Sequence, residues 1–116
     1  MQSKRTVQLS IPIEVKKRVA DRDSVQGWPC CVWCGNPAPI ENRLAYSNAH
    51  YISRSQGGLG IYENILTLCP VCHKKYDQSD KRDDMRRFFR IYLTKMCAYW
   101  DENNLIYRRD ENAKSH

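Results

Sequence analysis

Two Cys-x-x-Cys pairs, Cys31-Val32-Trp33-Cys34 and Cys69-Pro70-Val71-Cys72, constrain this chain more than any other feature. The two-residue spacing lets one turn offer both sulfurs to the same ion. Two such turns supply the four thiolates of a closed, tetrahedral structural zinc site. The stretch between Cys34 and Cys69 is longer than in a simple zinc ribbon, so it must itself be a structured unit. Cys30 and Cys97 remain as spare thiols. Cys30 competes with Cys31 as a ligand, but Cys31 has the two-residue spacing to Cys34.

A chain of 116 residues is one domain at most, too small for a large core, so a metal staple suits it. No apolar run approaches the roughly 18 residues of a membrane helix, and Met1-Gln2-Ser3-Lys4-Arg5 lacks the apolar stretch of a signal peptide. The expected location is therefore the cytoplasm, with no membrane partner. Thiols stay reduced there, and paired Cys-x-x-Cys motifs read as metal ligands before disulfides. Lys and Arg number 19 against 13 Asp and Glu, a formal charge of +6. That balance favours a polyanionic partner, most often nucleic acid. Lys16, Lys17, Arg18 and Arg22 form one basic cluster; Lys81, Arg82, Arg86, Arg87 and Arg90 form another. The plainer reading of each is a solvated helix face.

Residues 1–11 read as a loose, flexible N-terminus. Pro12 suits a first helical position, and Val15 and Val19 lie four apart among charges, which predicts a short amphipathic helix over 12–23. Residues 44–50 predict a strand ending at His50. Ser53 to Gly60 predicts a loop, with Gly57, Gly58 and Gly60 in it. Ile65-Leu66-Thr67-Leu68 predicts a second strand, and Pro70 opens a helix carrying Cys72, His73 and Asp77. Met85, Phe88, Phe89, Tyr92, Leu93, Met96 and Trp100 recur at three and four, one apolar stripe of a helix over about 80–99. The stripe reads as packing on the core, with a homodimer face as the alternative. The domain is thus expected over 12–100, with a core at 28–78 and a polar tail at 101–116. The end of that tail, Asn112 to His116, reads as disordered.

His73 and Asp77 are four apart, so both face one side of their helix and can share a divalent cation. Asn64, just before an apolar run, can tie a loop through its side-chain amide. Trp28, Trp33 and Tyr51 read as small-core packing rather than base-stacking platforms.

The string from His50 through Gly57-Gly58, then Glu63-Asn64-Ile65-Leu66 up to Cys72-His73, resembles the HNH endonucleases. Arg22-Asp23, Trp28 and Cys31–Gly35 look like the lead-in of their zinc-stabilised branch. The resemblance covers about residues 12–78. It implies an α+β fold of the ββα-metal (His-Me finger) type, with a structural zinc on four cysteines and flanking N- and C-terminal helices. It further implies a metal-dependent DNA endonuclease. His50 would be the general base, Asn64 the loop brace that orients it, and His73 a ligand of Mg²⁺ or another divalent cation. The family commonly has Asp or His as a metal ligand just before the catalytic His; here that residue is Ala49. Asp77, one turn after His73, is the expected substitute ligand, ahead of Asn48. Arg54, Lys74 and Lys75 are candidate DNA contacts. The size resembles small HNH proteins of phages and prophages, which by analogy suggests phage DNA processing, with packaging proteins as partners. Two rival readings stand beside this one: a catalytically degenerate HNH-fold DNA-binding protein, and a zinc-stapled protein-interaction module.

Overall fold

The computed structural model describes residues 3–108. The polar end of the tail, including Asn112 to His116, lies outside the described residues, as do Met1 and Gln2. In chain order the elements are helix α1 (Lys4–Leu9), helix α2 (Ile13–Arg22), strands β1 (Ser24–Val25), β2 (Trp28–Pro29), β3 (Ser47–His50) and β4 (Ile65–Leu68), and helices α3 (Pro70–Gln78) and α4 (Arg82–Met96). β1 pairs antiparallel with β2, and β3 antiparallel with β4. The fold is α+β, with two two-stranded ribbons among helices. No helix among the described residues is long and apolar enough to cross a membrane.

The β3–β4 register places His50 opposite Ile65 and Ala49 opposite Leu66. β4 is buried along its whole length, and Leu66 and Leu68 enter the same core as Tyr76, Met85, Phe89 and Leu93. Pro70 opens α3 in its first turn, where a missing N–H costs nothing. α3 then packs on both strands of this ribbon, and α4 packs on α3. The apolar stripe of α4 is narrower than its spacing suggests. Met85, Phe89 and Leu93 are buried, whereas Phe88 and Met96 stay 44% and 42% exposed. Phe88 instead meets Trp33 edge-on, with ring centroids 5.4 Å apart.

The N-terminal residues, read from sequence as loose, form α1. Ser3 caps it by accepting from the Thr6 amide. Six residues are too few for a helix to persist alone; tertiary contacts hold this one. The Leu9 side chain is buried, and the Gly60 amide donates to the Gln8 carbonyl at 3.0 Å. Gly60 is required at that point, because a Cβ there would sit 1.9 Å from the Ser10 carbonyl oxygen. The start of the expected polar tail is also docked. Residues Glu102–Leu105 make a 3-10 turn, Leu105 is buried, and Ile106 bridges to Gly58.

Arg22 departs furthest from its expected place. It is no solvated face charge: the side chains of Arg22 and Asp23 are 2% and 0% exposed. Arg22 Nε donates to Asp23 Oδ1 at 2.8 Å, Nη1 to the Tyr62 carbonyl at 2.9 Å, and Nη2 to the Ile65 carbonyl. Asp23 in turn accepts from the Thr67 amide at 2.9 Å and from the Tyr92 hydroxyl. This pair ties α2 to β4 and α4.

Candidate active site and metal centre

The four cysteines of the paired motifs converge. Their sulfurs all lie within 4.8 Å of one another, and Cys34 Sγ is 3.8 Å from Cys69 Sγ. A tetrahedron with Zn–S bonds of about 2.3 Å has edges of about 3.8 Å, so the cluster fits zinc. The Cys31–Cys34 turn closes with a Gly35 amide to Cys31 carbonyl bond of 2.9 Å, and Gly35 takes a left-handed φ of 82°. Burial, hydrogen bonds from Cys69 and Cys34, and the charge of Cys31 push the Cys72 thiol well above its ordinary range. Four thiols packed this closely ionise together only around a cation. Cys30 stands apart, its Sγ donating to the Trp28 carbonyl. Among the described residues, these four cysteines are the one group of three or more His, Cys, Asp or Glu side chains whose donor atoms converge.

Beside this staple lies an open cleft of about 600 Å³. β3 contributes His50 and Asn48, the following loop Arg54, and α3 His73 and Asp77. Side chains alternate along a strand, so Asn48 and His50 face the cleft while Ala49 faces the core, 1% exposed. His73 Nε2 and Asp77 Oδ2 are 3.6 Å apart on one side of α3. That pair offers one imidazole nitrogen and one carboxylate oxygen. Such a set can share one divalent cation whose remaining positions are filled by water.

His50 is held at several points. Its Nε2 lies 2.8 Å from the Leu9 carbonyl oxygen. Burial, with the charges of Arg54 and His73, lowers its pKa, against the opposing effect of the Leu9 carbonyl. The next residue, Tyr51, is fixed on both sides of its backbone. Its amide donates to the Asn64 carbonyl at 2.7 Å, and its carbonyl accepts from the Tyr76 hydroxyl at 2.7 Å. Asn64 is 0% exposed. Its Oδ1 accepts from the Ile52 amide at 2.9 Å, and its Nδ2 donates to the Ile52 and Leu59 carbonyls at 3.1 and 2.9 Å. The side-chain amide therefore cross-braces the 52–64 loop, while the backbone carbonyl of Asn64 holds Tyr51, the residue after His50.

The sequence comparisons bear on this pairing of a four-cysteine, zinc-fitting cluster with a His-lined cleft. A profile of the HNH endonuclease family matches residues 31–79. A curated relative, Anaredoxin from Nostoc sp. (strain PCC 7120 / SAG 25.82 / UTEX 2576), is 31% identical over 78 residues, 66% of this chain and 93% of that protein. The chain belongs to the HNH endonuclease family. Of its sequence-predicted site residues, the HNH cleft gathers His50, His73, Asp77 and Arg54. Lys74 and Lys75 are exposed on α3 but do not line it. Sequence reasoning missed six residues that line the cleft or bond to its support: Leu9, Ser10, Ile11, Lys16, Ser53 and Tyr76. The first four precede the matched region, and Lys16 showed only as one member of a basic cluster. Tyr76 had a legible signal, being three residues after His73 and so on the adjoining side of α3.

Proposed function

We propose that this HNH protein is a metal-dependent DNA endonuclease, and that His50, Asn64 and His73 carry the reaction with Asp77. The supporting observation is the convergence of His50 with His73 and Asp77 on one open cleft. With Nε2–H donated to the Leu9 carbonyl, the His50 lone pair is on Nδ1. The depressed pKa keeps that nitrogen unprotonated at neutral pH. Nδ1 takes a proton from water as the water attacks phosphorus. Asn64 and Tyr76 hold the Tyr51 backbone, so the imidazole does not drift from the line of attack. A divalent cation held by His73 and Asp77 would polarise the scissile phosphate and stabilise the leaving 3′ oxygen. Arg54 adds positive charge at the rim for the phosphate backbone. The products are 5′-phosphate and 3′-hydroxyl ends. Zinc on Cys31, Cys34, Cys69 and Cys72 is structural in this scheme, because a site closed by four thiolates leaves no open position for substrate.

The test is nicking of supercoiled plasmid by the zinc-loaded protein with added Mg²⁺, Mn²⁺ or Ni²⁺. Wild type should cut, and His50→Ala should lose about 100-fold or more. Undiminished cutting by His50→Ala removes that residue as the base. Salt-dependent DNA binding with no cutting in any metal would make the protein a DNA-binding HNH fold without the activity.

A further inference from the structure

Resting on the nuclease reading, we propose that Lys16 of α2 is a substrate contact, its ammonium binding a backbone phosphate of the DNA strand that lies in the cleft. Lys16 belongs to a run of three cations, Lys16-Lys17-Arg18, that sequence alone cannot separate. The structure separates them. On α2, residues 16, 19, 20 and 23 share one side. Val19, Ala20 and Asp23 on that side are buried. Lys16 thus stands on the inward stripe of the helix, at the end where the stripe opens into the cleft with His50, His73 and Asp77. Lys17 is exposed beside Asp21, at a separate depression of the surface. Arg18 stacks on the Tyr62 ring, 4.3 Å from its centroid.

Charge pairing points the same way. The cations of α4 are largely spoken for: Arg86 and Arg90 meet Glu102, and Arg87 meets Asp84. Among the described residues, neither Lys16 nor Arg54 has a carboxylate within 4.0 Å. A half-buried lysine on an inward stripe, without an acidic partner, is suited to an anion that arrives from outside. Its placement is also rigid. The chain leading into α2 is pinned by buried Leu9, by the Gly60–Gln8 hydrogen bond and by the Leu9 carbonyl on His50. Lys16 and Arg54 thus line the same cleft as His50 and His73 from two different elements, where a strand crossing it would present its phosphates.

The experiment is anisotropy of a labelled DNA duplex with zinc-loaded protein over a series of KCl concentrations, without added catalytic cation. Each phosphate contact contributes about 0.9 to the slope of log affinity against log salt. Lys16→Gln should reduce that slope by about 0.9. It should also raise KM with little change in kcat, since the contact is made equally before and during reaction. Lys17→Gln removes the same charge one residue away and should leave the slope near wild type. Lys16→Arg should restore it, which separates charge from folding. Equal slope changes in Lys16→Gln and Lys17→Gln, or none in Lys16→Gln, would overturn the assignment while leaving the nuclease reading untouched. A reduced slope in a protein that never cuts would support the contact and remove the nuclease reading instead.

Discussion

The carbonyl oxygen of Leu9 lies 2.8 Å from Nε2 of His50, across 41 residues of sequence. A carbonyl only accepts, so the ring is an Nε2–H tautomer there and Nδ1 carries the lone pair. The group that sets this tautomer comes from α1, before the 31–79 stretch matched by the family. In the proposed mechanism the N-terminal helix is therefore part of the machinery that poises His50.

As the proposed base, His50 must be neutral to work. Burial, Arg54 and His73 put its pKa below the ordinary histidine value of 6.5. The sign follows directly: the active, unprotonated form persists as pH falls from neutral and is lost only below 6.5. The acidic limb of kcat/KM for DNA cutting should have its midpoint on the acid side of 6.5. Arg54→Gln removes one of the depressing charges and should move that midpoint upward. A wild-type midpoint above 6.5 would mean that another group limits the reaction.

Asn64 makes three side-chain hydrogen bonds while fully buried. Asn64→Asp keeps the acceptor for the Ile52 amide but turns oxygen toward the Ile52 and Leu59 carbonyls. Each buried group left without a partner costs about 1–3 kcal/mol. Urea denaturation should show a loss of that order or more, together with slower cutting. Tyr76→Phe orphans only the Tyr51 carbonyl, so it should cost about 1–3 kcal/mol and produce a milder activity defect.

What the sequence disclosed and what it hid divide along contact range. The cysteine turns, His50, Asn64, His73 and Asp77 are written in local spacing: two residues within a knuckle, four along a helix. Leu9, Lys16 and Tyr76 act through positions set by tertiary packing. Leu9 reaches His50, and Arg22 reaches Ile65 over 43 residues. α1 has too few residues to announce itself by periodicity. Arg22 shares a basic run with Lys17, and charge alone does not separate them, yet one is buried against Asp23 and the other faces solvent. Position 49 was legible as a departure from the family pattern, but strand alternation, which turns it into the core, required the β3–β4 register.

The Arg22–Asp23 pair yields a prediction separate from chemistry. Removing one partner of a buried ion pair leaves the other charged and uncompensated, at a cost of about 3–5 kcal/mol. Asp23→Asn should therefore destabilise the domain by roughly that amount in urea melts. It also weakens the acceptors of the Thr67 amide and the Tyr92 hydroxyl. By contrast, Asp21→Asn breaks an ion pair with Arg43 whose Asp21 side chain is 73% exposed, and its melt should match wild type closely. Equal losses from the two substitutions would show that burial does not set the strength of these pairs.

Zinc is the prediction with the largest effect. The cluster joins the Cys31–Cys34 turn to the β4–α3 junction, and α3 carries His73 and Asp77. Elemental analysis should find one zinc per chain. A strong chelator should unfold the protein cooperatively, because in a small metal-stapled domain binding energy is folding energy. Cys69→Ser should behave like the chelated protein. Cys30→Ser should keep its zinc and its melt, since Cys30 donates to Trp28 instead of joining the cluster. Loading should weaken as pH falls, because thiols must lose protons to bind and the Cys72 thiol gives up its proton reluctantly. A fold that survives full zinc removal would return the holding of α3 against β3 to the core alone, through Tyr76, Phe89 and Leu66.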